Sequence, residues 1–175
     1  MDVFEAVQQR RSTRAYDSIP VPKEKLEKIL EAGRLAPSAG NLQPWRFIIV
    51  TDIAKRKKLA EGGAYAKFLV ESPIVIVGCG DPEASPKWFM VDVTIAMQNM
   101  VLTATSEGLG TCWIGSFDES QVKSLLNIPK SFRVIALLSL GYSREKPDIS
   151  RKILRVIRPR KELERIVSYD EFGTA

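Results

Sequence analysis

The segment that most constrains this fold is residues 87–107, KWFMVDVTIAMQNMVLTATSE. Val91, Val93, Ile95, Ala96, Met97, Met100, Val101, Leu102 and Ala104 spread apolar side chains around almost the whole circumference of a helix. A helix apolar nearly all round must be buried on most sides. In a chain of 175 residues, part of that burial is expected to come from a second subunit. Gly108 and Gly110 end the helix.

Shorter elements interleave around it, with no internal repeat. Residues 2–9 read as a helix with Val3, Phe4 and Val7 on one face. Residues 18–22 (SIPVP) are extended, because each proline disfavours helix in the residue before it. Residues 23–36 carry Leu26, Ile29, Leu30 and Gly33 at helical spacing until Pro37 stops them. RFIIVT (46–51), PIVIV (73–77), TCWI (111–114) and FRVIALLSL (132–140) read as strands, the second apolar enough to be buried on both faces. Asp52 starts a surface helix ending at Gly62 and Gly63, residues 64–71 suggest another short helix, and Asp118 caps one running to about Asn127. From Ser143 onward the chain becomes a charged tail, regaining β character at Ile166, Val167 and Tyr169. One domain is expected, with residues 1–150 as its body and 151–175 as a tail, either wrapping the outside or a partner or forming a disordered basic arm.

Two stretches carry chemistry. RRSTRAY (10–16) puts three arginines and two hydroxyls within five residues, a donor set suited to phosphate oxygens. APSAGNLQPWRF (36–47) supplies backbone amides, small side chains and amide groups just before a strand. Basic clusters are more often solvated faces, and such loops more often plain turns.

The chain has no histidine. That excludes Ser–His–Asp and Cys–His nucleophile systems and histidine-containing zinc sites, and for an enzyme it points towards an organic cofactor as the carrier of the reactive chemistry. Cys79 and Cys112 form neither a disulfide framework nor a zinc pattern. No apolar run approaches the ~20 residues of a membrane span, and residues 1–11 lack a secretory h-region. The cytoplasm is the expected location. A net charge of +5 leaves an anionic partner open; seven of the basic residues, Arg151, Lys152, Arg155, Arg158, Arg160, Lys161 and Arg165, lie in the tail. GLGTCWIG (108–115) superficially matches dinucleotide glycines but has Trp113 at the third glycine position and leaves a helix instead of entering one. Cys112 reads as a small core hydrophobe.

Taken in order, RRSTRAY, the run PVPKEKLEKILEAGRLAPSAGNLQPWRFIIV, the segment QNMVLTATSEGLGTCWIGSFD and VIALLSLGY resemble the compact form of the nitroreductase family of flavin enzymes. The resemblance spans nearly the whole chain. It implies an α+β fold with a central mixed sheet flanked by helices, and the long central helix at a homodimer interface. Two FMN molecules would sit between the subunits. Arg10, Arg11 (through its backbone) and Ser12 would face the FMN phosphate, with Arg14 nearer the flavin pyrimidine edge. Pro37, Ser38, Ala39 and Asn41 would come from the partner subunit against the ring, with Gln43 from the same loop. Lys67 falls near flavin N1 and O2, and Ile114 and Gly115 along the ring. Arg158 and Arg160 match the basic pair that closes on the phosphate.

The activity this implies is FMN-dependent oxidation of NADH or NADPH with reduction of nitroaromatic, quinone or similar electron-poor acceptors, by ping-pong hydride transfer through flavin N5. No protein group need act as a catalytic acid or base, and no metal is expected. The chain departs from the family pattern over Ala64 to Ala66, which lack a ring-edge amide, and at residues 81–89 (DPEASPKWF), a short remnant of the pocket cover of larger members. Two rival readings stand beside this one: a flavin carrier or sensor without turnover, and a nucleic-acid binder using the tail.

Overall fold

The computed structural model describes residues 1–63, 66–144 and 159–173. The chain divides into two compact units, Met1–Arg144 and Glu145–Ala175. The expected boundary at residue 150 lies outside the described residues.

The larger unit is a four-stranded sheet covered on both faces. Its strands are β1 (Trp45–Val50), β2 (Ile74–Gly80), β3 (Gly110–Ile114) and β4 (Arg133–Gly141), in the order β1-β2-β4-β3. All seven residues of β2 are buried, as its unbroken apolar run predicts for a strand inside a covered sheet. The three strand pairings are all antiparallel. The parallel component of the expected mixed sheet is confined, among the described residues, to an isolated bridge between Ser12 and Thr111.

Local chemistry sets the helix limits. Helix α1 (Val3–Gln9) is opened by a reciprocal cap: Asp2 accepts from the Glu5 amide, and Glu5 accepts from the Asp2 amide. Helix α2 (Lys23–Arg34) follows Pro22 and stops ahead of Pro37. Asp52 caps α3 (Ile53–Glu61) by accepting from Lys55 N–H, and Asp118 caps α5 (Glu119–Leu126) by accepting from Ser120 and Gln121. The α5 C-cap, Asn127, takes left-handed backbone at φ 55°. Between α3 and β2 the expected helix is a 3-10 turn, Lys67–Val70.

Helix α4 (Phe89–Ser106) lies across one face of the sheet beside α2. Val93, Ala96, Met97, Met100, Val101 and Ala104 are fully buried there with Ile76, Leu138 and Leu140. Fully burying a Met or Val side chain is worth roughly 1.5–3 kcal/mol. Glycines set the close approach: a Cβ on Gly33 would lie 2.1 Å from Met100 Cε, and one on Gly78 would lie 2.2 Å from Met97 Sδ. The opposite face packs Val75, Val77, Leu137 and Ile114 against Leu59, Leu69 and Val122.

The apolar face of α1 is turned outward: Val3, Phe4 and Val7 are 75%, 68% and 42% exposed, and Ala6 is the residue of this helix that is buried. The tail residues 159–173 contain a 3-10 turn (Leu163–Arg165) and no strand, so the β character expected at Ile166, Val167 and Tyr169 is absent.

Candidate functional site

RRSTRAY is held along the free edge of β3. Ser12 bridges Thr111, Thr13 N–H donates to Thr111 O at 2.8 Å, and Asp17 N–H donates to Tyr142 O at 3.0 Å. Tyr16 anchors the segment from below, with its hydroxyl 2.7 Å from Thr13 O and 2.6 Å from Ser139 Oγ. Ser139 Oγ in turn lies 3.3 Å from Cys112 O. Tyr16 and Ser139 are almost completely buried, so these polar groups depend on one another.

This docking brings Arg10, Ser12 and Arg14 within electrostatic or hydrogen-bonding reach of Cys112. Burial pushes the Cys112 thiol above its ordinary range, while Arg14, Ser12 and Arg10 pull it back down. Arg11 and Arg14 are exposed, and Arg10 and Ser12 half-buried. Cys112 is therefore buried in the core, as expected, with its thiol donating to Trp113 O. Thr13 Oγ1 is buried without a hydrogen-bond partner and packs where a Cβ on Gly110 would be, at 2.4 Å.

Further along β3, Ile114 is buried while Gly115 is exposed, with no atom within 4 Å of where its Cβ would sit. The backbone there is open to a flat ligand. The turn after α3 lies alongside: Asp118 N–H donates to Gly62 O at 3.1 Å, and a Cβ on Gly63 would fall 2.2 Å from Ser116 O. Lys67 is exposed beside this turn, on a cavity of about 580 Å³ also lined by Lys57, Glu61, Gly62, Gly63 and Val70. Arg56 fixes the segment that follows Lys67: its guanidinium is buried and donates to the carbonyls of Thr51, Val70 and Ser72.

The second predicted group, Pro37, Ser38, Ala39, Asn41 and Gln43, lies on the loop between α2 and β1. Gly40, Asn41 and Gln43 all have positive φ, at 57°, 55° and 48°. Ser38 Oγ accepts from Gln43 N–H at 3.0 Å, and the Gln43 amide donates to Asn41 O at 3.1 Å. Ala39 N–H donates to Asp92 Oδ1 at 3.1 Å, and Asp81 N–H donates to Pro44 O at 2.8 Å. Pro37, Asn41 and Gln43 are exposed. Arg160 is exposed in the smaller unit, and Arg158 lies outside the described residues, as does the departure at Ala64. Ala66 is fully buried.

The donor set fits FMN: clustered guanidinium and hydroxyl groups for a phosphate, and beyond them an open backbone for a planar ring. Among the described residues, no group of His, Cys, Asp or Glu side chains is placed to hold a metal ion, and no helix is long and apolar enough to cross a membrane.

Residues 7–64 and 60–142 match the model of the nitroreductase family. The chain belongs to the nitroreductase family. A relative from Archaeoglobus fulgidus, provisionally named an NADH dehydrogenase/NAD(P)H nitroreductase, is 37% identical over 146 residues, covering 79% of this chain and 84% of its own. The NADPH-flavin oxidoreductase of Vibrio harveyi is 28% identical, covering 87% of this chain and 70% of its own. An FMN-dependent nitroreductase structure from Clostridium difficile superposes with a TM-score of 0.82 at 31% identity, covering 97% and 99% of the two chains. These relatives are flavin or NAD(P)H oxidoreductases by name, and the α+β nitroreductase fold is shared.

The sequence reading missed Asp92, Tyr16 and Ser139. Asp92 carried a signal, being the one acid within the apolar run of α4. Tyr16 and Ser139 carried none, because their 123-residue separation hides the contact.

Proposed function

We propose that this chain is an FMN-dependent NAD(P)H oxidoreductase that reduces nitroaromatic, quinone or similar electron-poor acceptors as a homodimer. The observation that supports it most is the pairing of Ser12 with Thr111, which holds the segment carrying Arg10, Ser12 and Arg14 at the edge of β3, the strand that runs into the open backbone of Gly115. Bound FMN would supply the redox chemistry, taking up and giving back hydride at N5.

The chain's own part is binding, orientation and electrostatics. Arg10, the Arg11 backbone and Ser12 would hold the phosphate, with Arg158 and Arg160 closing on it. Arg14 and Lys67 would place positive charge at the pyrimidine edge, where reduction adds negative charge. Ile114 and Gly115 would support the ring. Pro37, Ser38, Ala39, Asn41 and Gln43 would reach it from the second subunit.

The dimer reading is supported by apolar surface that one chain leaves uncovered. Val3, Phe4, Leu35, Leu42, Met90 and Val91 are 45% or more exposed. On α4, Val91, Thr94, Ile95, Gln98, Leu102 and Thr105 form an accessible stripe on a helix whose opposite side, Val93, Ala96, Met97, Met100 and Ala104, is buried.

Anaerobic addition of NADH or NADPH to the FMN-loaded protein should bleach the flavin band, and a quinone or nitroaromatic should restore it. Flavin that stays oxidised with both donors would overturn the enzymatic reading and favour a carrier or sensor.

A further inference from the structure

Asp92 sits near the start of α4 with 3% of its surface exposed, in a helix whose other buried positions are apolar. Burying a carboxylate against neutral donors is a cost that Leu or Val would not incur, so its retention calls for a reason. Its two oxygens divide between two segments. Oδ1 accepts from Ala39 N–H at 3.1 Å, on the loop after α2, and Oδ2 accepts from the Ser85 hydroxyl at 3.3 Å, in the short segment between β2 and α4. Ser85 is itself 2% exposed.

A second link joins the same two segments: Asp81 N–H donates to Pro44 O at 2.8 Å. Asp81 Oδ1 also accepts from Glu83 and Ala84 N–H, and Ser85 N–H donates to Asp81 O at 3.2 Å. The loop that Asp92 grips holds Asn41 and Gln43 in left-handed backbone. Such conformations persist only where the surroundings over-determine them.

We propose that Asp92 is a positioning residue that fastens residues 38–43 to residues 81–88, so that the flavin-facing loop and the pocket cover move as one body. Its consequence for cofactor rests on the FMN reading above; the fastening itself does not. A ligand that displaces residues 81–88 in one subunit would thereby shift the loop that meets the flavin of the other.

Hydrogen exchange on the full-length protein without flavin reads the fastening directly. Asp92→Leu should raise exchange in a peptide covering residues 36–44 by about ten-fold or more. Asp92→Asn keeps an acceptor for Ala39 N–H and can donate to Ser85 Oγ, and should stay within about three-fold of wild type. Ser85→Ala, which removes the Oδ2 contact and leaves the Ala39 link in place, should loosen residues 81–88 more than 36–44. With FMN, Asp92→Leu should weaken binding about ten-fold and Asp92→Asn should rescue it. Unchanged exchange at 36–44 in folded Asp92→Leu, or Asp92→Asn as damaged as Asp92→Leu, overturns the proposal. If Asp92→Leu does not fold, unchanged exchange at both segments in Ser85→Ala overturns it instead. A wild type that binds no FMN sinks the cofactor reading, while the exchange data still decide the fastening.

Discussion

Replacing Tyr16 with Phe removes one oxygen and keeps the ring that fills the core. In the wild type that hydroxyl is 2.7 Å from Thr13 O and 2.6 Å from Ser139 Oγ, with Tyr16 2% exposed and Ser139 fully buried. Ser139 keeps a fallback at Cys112 O, 3.3 Å away. Thr13 O loses its Tyr16 partner, and a buried group left unsatisfied costs about 1–3 kcal/mol. Tyr16→Phe should therefore lose about 2 kcal/mol, which at a urea slope of about 2 kcal/mol per molar moves the midpoint down by about 1 M. Ser139→Ala should cost less, because the Tyr16 hydroxyl still donates to Thr13 O. Burial also holds the Tyr16 phenol far above its ordinary value. The unfolded phenol titrates near 10, so wild type should lose stability as pH rises past that value, and Tyr16→Phe should lack this contribution. Urea melts followed by tryptophan fluorescence, at neutral pH and above pH 10, measure both effects. A Tyr16→Phe midpoint within about 0.2 M of wild type at unchanged slope would refute the idea that this hydroxyl anchors RRSTRAY.

Gly110→Ala should disturb the same segment from the opposite side. The new Cβ would lie 2.4 Å from Thr13 Oγ1 and 2.8 Å from Thr13 Cβ, a branched side chain with little room to yield, so about 1–3 kcal/mol should be lost in a urea melt. Acid stability should depend on Glu119. Its carboxylate is held down to about 2, first by Arg133, then by the Val134 amide and Lys123. A depressed acid stabilises the fold above its ordinary value, and that contribution is lost as pH falls from about 5 towards 2. Because Arg133 is 56% exposed, the pair is screened, and about 1 kcal/mol is expected in place of the full linkage value. Glu119→Gln should flatten the acid arm of a stability-versus-pH curve; an unchanged arm would exclude Glu119 as its source.

The elements of this fold were legible where periodicity and punctuation agree. The apolar run of β2, the caps at Asp52 and Asp118 and the span of α4 all lie within a few residues of where the sequence puts them. Alternation along one strand, however, does not reveal which edge a loop will join. RRSTRAY announces phosphate chemistry by composition, yet its placement depends on pairing with Thr111 and on the Tyr16–Ser139 contact, both distant in sequence. Helix α1 shows the converse: an apolar face is legible, but not whether it meets the chain's own core. Val3 and Phe4 face outward here, where a second subunit is proposed. Asp92 could have been found, since an acid inside an apolar helix has to be explained.

The account turns on a phosphorylated flavin being recognised by its phosphate. Two charge-assisted bonds from Arg10, Ser12 or their companions, at roughly 1.5–3 kcal/mol each, correspond to about 100- to 10,000-fold in affinity. Parallel titrations of the flavin-free protein with FMN and with riboflavin, followed by quenching of flavin fluorescence, measure this directly. FMN should bind at one molecule per chain and more tightly than riboflavin by that margin. Equal affinities for the two, or binding of neither, would contradict the account.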